Sequence, residues 1–427
     1  MKIKNFDSLS VSPTRHKALL IAEAGLEAID TTEAIITNVK VRGDNLNIVG
    51  RKYSLNQIGR VFVVGVGKCA LEAGVALEKI LGDHLHGGII IDVKNGGYLK
   101  KLKYFKGTHP LTSEDNVKAT REIVNLLNKL NEDDFLIFVI SGGGSALLSY
   151  PEDFSYKEEV EVFKSLTKAG ATIQELNTVR KHMSLARGGF LAKYAYPIQS
   201  VGLIFSDVTG DDMGFIASGP TVKDDTTIDA AAAILAKYDI FDTCNIENCG
   251  LIETPKENKF FEKINNVVVV SNAIALRAME KKAKELGLES EIYHDMKGEA
   301  GEVGLKIVAD LQKSSSKKVL LYGGETTVII KGNGRGGRNL HLAAAALQKI
   351  KSKEIIISLA SDGRDNGDFA GAICDIITKD AVKKKDLNIS QFLKNNDTYP
   401  LFEKVGNYIF TGDTGSNVSD LVIAIKV

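Results

Sequence analysis

The chain has no tryptophan, only seven prolines and four cysteines among its 427 residues, and its formal charges cancel. Lys plus Arg and Asp plus Glu each number 54, so the basic excess that nucleic-acid-binding proteins use to neutralise phosphates is absent. Cys69, Cys244, Cys249 and Cys374 follow no metal-ligand spacing, and scattered thiols in a long chain are typical of a reducing compartment. We therefore expect a cytoplasmic protein without a nucleic-acid partner.

Long apolar segments are also missing. The run Phe135–Ile140 suits a buried strand and is much shorter than the roughly 20 residues that cross a membrane. The first residues, Met1–Asp7, contain no apolar core of the kind found in signal peptides. These features predict neither membrane insertion nor export.

Glycine is abundant, and its 40 residues gather directly after apolar, β-branched runs. Glycine in that position is typical of the tight turns and ligand-binding loops of α/β proteins. Because the runs alternate with helical periodicity, we expect an α/β fold around a parallel sheet with helices on both faces. The predicted strands are residues 61–64, 88–92, 135–140, 201–205, 267–270, 319–322 and 354–359, and the predicted helices include 14–39, 113–130, 274–286 and 300–312.

A polar stretch at residues 238–266 interrupts this alternation, and a chain of this length is expected to form two domains. We therefore predict an N-terminal domain of residues 1–255 and a smaller C-terminal domain of residues 256–427.

Three loops are candidate anion sites. Gly65–Lys68 puts a lysine, and Ser141–Ser145 two hydroxyls and closely spaced amides, at a strand-to-helix junction. Gly332–Asn339 sets Arg335 and Arg338 just before an alanine-rich helix. Since a cation at a helix N-terminus opposes the helix dipole, a bound carboxylate or phosphate would explain these arginines.

Acidic residues follow other predicted strands. Magnesium is typically held by one or two carboxylates together with substrate phosphates, so acidic loops beside phosphate cradles indicate phosphoryl transfer. A sensor that binds a phosphorylated acid would need the anion loops but not the carboxylates, and it is kept as a non-enzymatic alternative. The acidic residues are Asp207, Asp211, Asp212, Glu325, Asp362 and Asp365.

The segment 177–195 combines an apolar helical stripe with a basic opposite side. Either Arg180 or Lys181 could bind a substrate carboxylate there. We interpret His182 as structural, and the other histidines form no pair with metal-ligand spacing.

A rival interpretation of the first glycine loop is dinucleotide binding. Gly65–Ala70 fits a relaxed form of the dinucleotide fingerprint, and Asp92 ends the next strand, where an acid would bind the ribose. Lys68, however, intrudes into the turn that must admit a pyrophosphate. The sequence contains no P-loop signature, which excludes a P-loop kinase.

A series of motifs along the chain resembles the glycerate 2-kinases of the MOFRL type. The motifs keep their order and together cover nearly the whole chain. They are Gly65–Lys68 (GVGK), Ile140–Leu147 (ISGGGSAL), Asn177–His182 (NTVRKH), Ser206–Asp212 (SDVTGDD), Ile216–Thr221 (IASGPT), Gly323–Thr327 (GGETT), Gly336–Asn339 (GGRN), Ser361–Gly363 (SDG) and Thr411–Val418 (TGDTGSNV).

The resemblance implies a Rossmann-like, three-layer N-terminal domain with a mostly parallel sheet, a C-terminal α/β domain with a mixed sheet, and an active site in the cleft between them. It implies direct in-line phosphorylation of D-glycerate to 2-phosphoglycerate, with ATP and Mg²⁺. It assigns catalytic roles to Lys68 and Arg338. Some relatives carry the name hydroxypyruvate reductase, so an NAD(P)H-dependent reductase and a kinase for another small hydroxy acid are kept as alternatives.

The remaining candidate residues are assigned by their chemistry. Asp207 would orient or deprotonate the acceptor hydroxyl, and Asp211 and Asp362 would bind Mg²⁺. The expected partners are a nucleotide and a small-molecule acceptor, and a homodimer is left open. The nucleotide would contact Gly65, Gly67, Ser141, Gly142, Gly143, Gly144, Ser145 and Glu325.

Three positions depart from the family pattern. Leu340 and His341 replace Gln-Glu after the GGRN motif, residues 366–370 replace a Gly-Pro-Thr-Asp-Ala run, and Asp413 stands where proline is common. All three lie in the predicted C-terminal domain, so the acceptor is the least determined feature.

Overall fold

The structure, a computed structural model, describes residues 1–152, 155–208, 210–241 and 250–427. Its contacts divide the chain into two units. The parallel-sheet unit comprises Ala34–Ser206 and Asp211–Val269, and the mixed-sheet unit comprises Met1–Glu33, Asp207–Gly210 and Val270–Val427. The predicted features at Cys244 and Cys249 lie outside the described residues.

Helices and strands alternate over most of the described chain. None of the helices in these residues is both long enough and apolar enough to cross a membrane. The helices are α1 (Phe6–Leu9), α2 (Pro13–Ala28), α3 (Thr31–Asn38), α4 (Ala70–Leu81), α5 (Glu114–Leu127), α6 (Gly144–Leu147), α7 (Tyr156–Lys168), α8 (Ile173–Lys181), α9 (Phe190–Ala195), α10 (Ile228–Lys237), α11 (Asn272–Glu285), α12 (Ala300–Lys313), α13 (Arg338–Lys349), α14 (Ile376–Lys384), α15 (Ile389–Lys394) and α16 (Thr398–Val405). The strands are β1 (Val39–Arg42), β2 (Asn45–Ile48), β3 (Arg51–Ser54), β4 (Val61–Val66), β5 (Leu85–Asp92), β6 (Leu102–Lys106), β7 (Phe135–Ser141), β8 (Gln199–Phe205), β9 (Ile264–Val270), β10 (Glu289–Met296), β11 (Lys318–Gly324), β12 (Glu354–Ala360), β13 (Gly371–Asp375), β14 (Tyr408–Ile409) and β15 (Asp420–Lys426).

The parallel-sheet unit is built on a six-stranded sheet of order β6-β5-β4-β7-β8-β9. Strands β4 to β8 pair in parallel, and every residue of the central strands β4 and β7 is buried. Continuous apolar runs are stable only in strands that are covered on both faces. The strand order reverses between β4 and β7, which makes this the doubly wound arrangement with a topological switch point. The predicted α/β, Rossmann-like fold is confirmed.

A small antiparallel sheet, β1-β2-β3, precedes the main sheet and was not expected from the sequence. Val39, Leu46 and Ile48 are its buried residues, while Lys40 and Arg42 are left partly or fully exposed. This alternation is the period of a half-buried strand. The predicted helix 14–39 overlaps the first residue of this sheet, Val39.

The mixed-sheet unit contains a six-stranded sheet of order β10-β11-β15-β12-β13-β14. Strands β10 and β11 are parallel, whereas β15 pairs antiparallel with both β11 and β12. Helix α13 lies in the core of this unit: nine of its residues, Asn339 to Leu347, are buried. A Cβ at Gly304 of α12 would lie 2.4 Å from the Leu342 carbonyl oxygen, so glycine lets α12 approach α13 closely. The predicted mixed sheet is confirmed.

The first 33 residues group with the C-terminal half of the chain. Helix α2 packs on α11 so closely that a Cβ at Gly25 would lie 2.7 Å from the Met279 sulfur. The sequence-based division at residues 255/256 keeps these residues in the N-terminal domain, whereas their contacts place them with Val270–Val427. The predicted helix 14–39 is in fact α2 and α3, separated by a turn at Asp30.

Candidate active site

The two glycine loops follow β4 and β7, the neighbouring strands at which the order of the parallel sheet reverses. Gly67 has φ +123°, and a Cβ there would lie 2.0 Å from the Ser141 hydroxyl oxygen and 2.6 Å from its carbonyl oxygen. The Lys68 amide donates to the Gly142 carbonyl over 3.0 Å. The predicted anion loops are therefore brought together, at the edge where doubly wound proteins bind ligands.

Helix α6 starts within the second loop. Gly143 precedes it with φ +83° and provides no side-chain cap, so the first amides of the helix have no acceptor within it. Gly144 lies against the turn at residues 216–218, where a Cβ would be 2.4 Å from the Ala217 Cβ. The Ser145 hydroxyl accepts a hydrogen bond of 2.9 Å from Ser218. The turn at residues 216–218 therefore packs against this loop and supports it.

Lys68 crosses this second loop with an exposed side chain. A Cβ at Gly143 would lie 3.0 Å from Lys68 Cε and 3.2 Å from His109 Cδ2, so both side chains pass over the glycine. Among the described residues, the Lys68 ammonium has no hydrogen-bond or ion-pair partner. Lys68 therefore offers a positive charge beside the glycine loops.

His109 lies beside Lys68 at the second glycine loop, although its sequence context predicts no function. Partial burial of its ring, together with the positive charges of Lys68 and Arg180, lowers the pKa of His109 to about 4. The imidazole is consequently neutral at pH 7. No sequence motif connects His109 with the glycine loops, so only the fold could show that its side chain lies beside them.

The structure distinguishes between Arg180 and Lys181, the two residues of α8 that were predicted to bind a substrate carboxylate. Lys181 is buried and donates over 3.0 Å to Asp224, which is itself buried. Arg180 instead lies half-buried with its guanidinium carbon 3.6 Å from the centre of the Phe163 ring. Lys181 therefore has a structural partner, and Arg180 is the available cation.

The segment 177–195 is not one helix, as predicted, but α8 and α9 separated by a turn. Helix α8 ends at Lys181, and Gly188 and Gly189, with φ +54° and +91°, stand immediately before α9. The polar and basic side chains of this segment are largely buried: Arg187 donates to Glu159 over 2.6 Å, and His182 contacts the Ile252 carbonyl at 2.8 Å. The structural interpretation of His182 agrees with this environment.

Asp92 is fully buried at the end of β5 and does not face a ligand site. One carboxylate oxygen accepts from the Leu71 amide over 2.9 Å, and the other from the amides of Val93 and Lys94. Burial raises its pKa, although these amides oppose the shift. An acid that binds a dinucleotide ribose needs free oxygens, so the geometry disfavours the reductase interpretation.

Arg338 is the first residue of α13 and is enclosed by carboxylates. Its Nε and Nη2 donate to Asp420 over 2.6 and 3.1 Å, and its Nη1 donates to Glu325 over 2.6 Å. Burial opposes its charge, yet Asp420 and Glu325 raise the pKa of Arg338. The anion that the sequence required at this helix terminus is therefore supplied by the protein itself.

Asp365 and Asn339 complete this network. Asp365 accepts from the amides of Asn339 and Leu340 over 3.0 and 2.7 Å and so caps α13 from outside the helix. A Cβ at Gly337 would lie 2.3 Å from Asp365 Cγ, which explains the glycine before Arg338. The side-chain amide of Asn339 donates to Asp365 over 3.3 Å and to Asp420 over 2.8 Å.

Both carboxylates of this network are strongly buried. Burial, opposed by the two backbone amides, raises the pKa of Asp365 to about 6, and burial also raises the pKa of Asp420. Sequence reasoning missed Asp420 as the partner of Arg338, and it missed the Asn339 side chain as a donor to Asp420. The available signal was an acidic residue directly before the apolar run Leu421–Ile425, because that residue had to lie at the start of a buried strand.

The other acidic candidates occupy separate loops. Asp207 is half-buried, and Asp211 has φ +56° in the same loop. Asp362 accepts from the Arg364 amide over 3.0 Å. In the described parts of the chain, no three His, Cys, Asp or Glu side chains form a group that could hold a metal ion. Magnesium needs only one or two carboxylates from a protein when the phosphates of a nucleotide supply its other ligands.

Two sequence profiles match the chain: one described as a domain of unknown function, DUF4147, at residues 17–249, and the MOFRL family at residues 318–420. A glycerate 2-kinase of Pyrococcus horikoshii is 38% identical, over 95% of this chain and 96% of that protein. The chain belongs to the MOFRL-type glycerate kinase family. A D-glycerate 2-kinase of Thermotoga maritima is 37% identical in sequence, and the match covers 87% of this chain and 91% of that protein. The crystal structure of glycerate kinase from T. maritima is 32% identical and superposes with a TM-score of 0.87, covering 96% of this chain and 99% of that one.

In this member of the glycerate kinase family, the departures from the family pattern have structural roles. Leu340 is fully buried in the core of the mixed-sheet unit. His341 lies 3.7 Å from the Glu299 carboxylate, and burial lowers its pKa. Asn366 donates to the Gly336 carbonyl over 2.9 Å and so supports the loop before Arg338.

Proposed function

We propose that this protein is a glycerate 2-kinase, which transfers the γ-phosphoryl group of ATP to the C2 hydroxyl of D-glycerate. The observation that supports this most directly is the meeting, at the switch point of the sheet, of two glycine loops and Lys68, whose ammonium has no partner in the described parts of the chain. This arrangement provides amides and one positive charge, which are the groups that bind phosphates. Family membership supports glycerate as the acceptor.

The phosphates of ATP would lie along the glycine loops. Gly65 and Gly67 let the first loop pack against Ile90 and Ser141, and the loop Ser141–Ser145 supplies amides and hydroxyls. Lys68 would neutralise the oxygens of the transferring group. Such positioning and charge stabilisation are the main contributions that a protein makes to phosphoryl transfer.

In the proposed reaction, the C2 oxygen of glycerate forms a bond to the γ-phosphorus while the bond to the β,γ-bridging oxygen breaks. ADP leaves with the electron pair of that bond, and Asp207 orients the hydroxyl and takes its proton. Arg338, held by Asp420 and linked to Glu325, would stabilise charge on the phosphoryl oxygens. Glu325 would thereby contact the nucleotide through Arg338.

Magnesium is proposed as the accompanying cofactor. Asp211 and Asp362 are the carboxylates that would hold it, together with phosphate oxygens. The ion, when bound, neutralises charge on the β- and γ-phosphates. Removing divalent ions with EDTA should abolish turnover, and Mg²⁺ should restore it.

The function is tested by incubating the purified protein with D-glycerate, ATP and Mg²⁺ and identifying the product by phosphorus NMR. Formation of 2-phosphoglycerate supports the proposal. Phosphorylation of another hydroxy acid, but not of glycerate, would replace the acceptor and keep the reaction class. Oxidation of NADH or NADPH with hydroxypyruvate, without kinase activity, would overturn the proposal.

The cytoplasmic location and the homodimer stay predictions, which cell fractionation and light scattering can check.

A further inference from the structure

Arg180 is a cation without a counter-ion in the described part of the chain. Its guanidinium neither forms an ion pair there nor donates a side-chain hydrogen bond, and it stacks on Phe163 at 3.6 Å. We infer that Arg180 binds the carboxylate of the phosphoryl acceptor and that it determines the specificity for 2-hydroxy acids. The inference rests on the proposed function, because it names the residue that recognises the charged end of that acceptor.

Other buried arginines of this protein are paired. Arg15 forms a two-point ion pair with Asp375, with both donor–acceptor distances 2.7 Å. Arg187, a fully buried neighbour of Arg180, donates to Glu159 over 2.6 Å. Arg180 is half-buried beside Arg187 and has no carboxylate partner among the described residues. A carboxylate of the ligand would form with Arg180 the kind of ion pair that Arg15 and Arg187 form with carboxylates of the protein.

The surroundings of Arg180 make its isolated charge unfavourable. Burial and the nearby positive charge of Arg187 lower the pKa of Arg180 to about 10. Glu159 acts in the opposite direction, but its oxygens are already bound by Arg187 and by the Ser149 hydroxyl. An added anion would stabilise the charged form of Arg180, so this position favours a negatively charged ligand.

The position of Arg180 matches the structure of glycerate. The carboxylate carbon of glycerate is bonded directly to C2, which carries the attacking hydroxyl. Its anchor must therefore lie beside the residues that hold the transferring phosphoryl group. Arg180 and Lys68 fulfil this condition: Lys68 Cε lies 3.0 Å from a Cβ placed at Gly143, and Arg180 lines a cavity with Ser145 of the same loop. Neutral His109 leaves room for a hydrogen bond to the acceptor without adding a third positive charge.

The stacking on Phe163 suits recognition of a planar carboxylate. Phe163 covers one face of the guanidinium and fixes its plane, while the edge keeps its hydrogen-bond donors. Arg180 also lines, with Thr112 and Ser145, a cavity of about 10 Å³. This volume holds about one water molecule, so the acceptor itself would contact Arg180 outside the cavity.

Two substitutions in the full-length protein test the inference. Arg180→Met keeps an unbranched stem over Phe163 and removes the charge, whereas Arg180→Lys keeps the charge and removes the planar pair of donors. We expect the KM for D-glycerate to rise about 30-fold or more in Arg180→Met and less in Arg180→Lys, with the KM for ATP changed less than about twofold. Some 3-phosphoglycerate should also appear in the phosphorus NMR spectrum, because the acceptor is no longer held by its carboxylate.

Arg121→Met is the matched control, since Arg121 is an exposed arginine of the same unit. It should leave both KM values and the product unchanged. A higher KM for ATP with an unchanged KM for D-glycerate would assign Arg180 to a phosphate and overturn the inference. Unchanged values for both substrates would overturn it as well. If neither Arg180 variant folds, the wild-type protein still gives a test: it should bind glycerol at least about 100-fold more weakly than D-glycerate, and equal binding excludes a carboxylate anchor.

Calorimetric titration with D-glycerate separates this inference from the proposed function. Wild-type binding without turnover, together with loss of binding in Arg180→Met, would support the anchor while contradicting the kinase function. Turnover of D-glycerate with equal binding by wild type and Arg180→Met would support the function and overturn the anchor. Absence of D-glycerate binding to the wild-type protein would overturn both.

Discussion

Asp420 holds Arg338 by two points: Nε and Nη2 of the guanidinium donate to the two carboxylate oxygens over 2.6 and 3.1 Å. Asp420 is fully buried at the start of β15, whereas Arg338 is partly exposed at the start of α13. The buried carboxylate therefore fixes the direction of the more accessible cation. If Arg338 stabilises the transferring phosphoryl group, Asp420 is its positioning residue.

Asp420→Asn should lower kcat at least about tenfold while the KM for ATP changes little, because the amide cannot hold the guanidinium in the same two-point geometry. Steady-state kinetics and a melting curve check this. The control is Asp380→Asn, a change of an exposed carboxylate in the same unit, which should leave kcat unaltered. A variant that folds and keeps its kcat would show that Asp420 does not position a functional arginine.

Lys68→Ala should lower kcat by about 100-fold or more, since it removes a positive charge expected at the phosphoryl group. The melting temperature should change by less than about 2 °C, because the side chain is exposed and has no ion-pair partner among the described residues. The matched control is Lys129→Ala, at an exposed lysine of the same unit. Retained turnover in Lys68→Ala would contradict the catalytic role of Lys68.

Gly67→Ala should lower the free energy of unfolding by about 3 kcal/mol or more, because a Cβ would lie 2.0 Å from the Ser141 hydroxyl oxygen. Gly170→Ala provides the control: Gly170 also has a positive φ, but nothing lies within 4 Å of its added Cβ. That change should cost only about 1 kcal/mol. Equal losses in a urea titration would mean that close contact of the two glycine loops does not stabilise the fold.

Asp365 should give stability a dependence on pH. Its pKa is raised by burial to about 6, so the folded state binds a proton more tightly than the unfolded state does. Its contribution to stability is fully present below about pH 4 and is lost as the pH rises through about 6. Relative to Asp365→Asn, the wild type should lose on the order of 2 kcal/mol over that interval. Urea titrations of both proteins at several pH values measure the difference, and parallel profiles would refute the assigned shift.

Seven strands of the two large sheets were predicted from the sequence, namely β4, β5, β7, β8, β9, β11 and β12, because their apolar runs admit few alternatives. The run at β7, Phe135–Ser141, is uniformly apolar before its terminal serine, and such a short run is stable as a strand covered on both faces. The glycines that follow it indicate a turn, so the position of the loop was also predictable. The small β1-β2-β3 sheet was missed because its strands have four residues each and mix apolar with charged residues.

Helix boundaries were less predictable than strands. The segment 177–195 carries a helical period throughout, yet α8 ends at Lys181 and α9 begins only at Phe190, after Gly188 and Gly189 with positive φ. Glycine in a helical pattern is compatible with either outcome, because its backbone accepts both conformations. Contacts with the rest of the unit decided the turn: the Gly188 and Gly189 amides donate to the carbonyls of Ser218 and Gly219.

The sequence by itself determined the elements and the chemical inventory: strands ending in glycine, a lysine beside them, and arginines and acids in later loops. It could not determine which charges are paired, since ion pairs such as Arg338–Asp420 join residues that are distant in the chain. The same limit applied to Arg180 and Lys181, which are neighbours of equal charge in one helix. Helical rotation turns Lys181 towards Asp224 and leaves Arg180 on Phe163, and only tertiary packing fixes those surroundings.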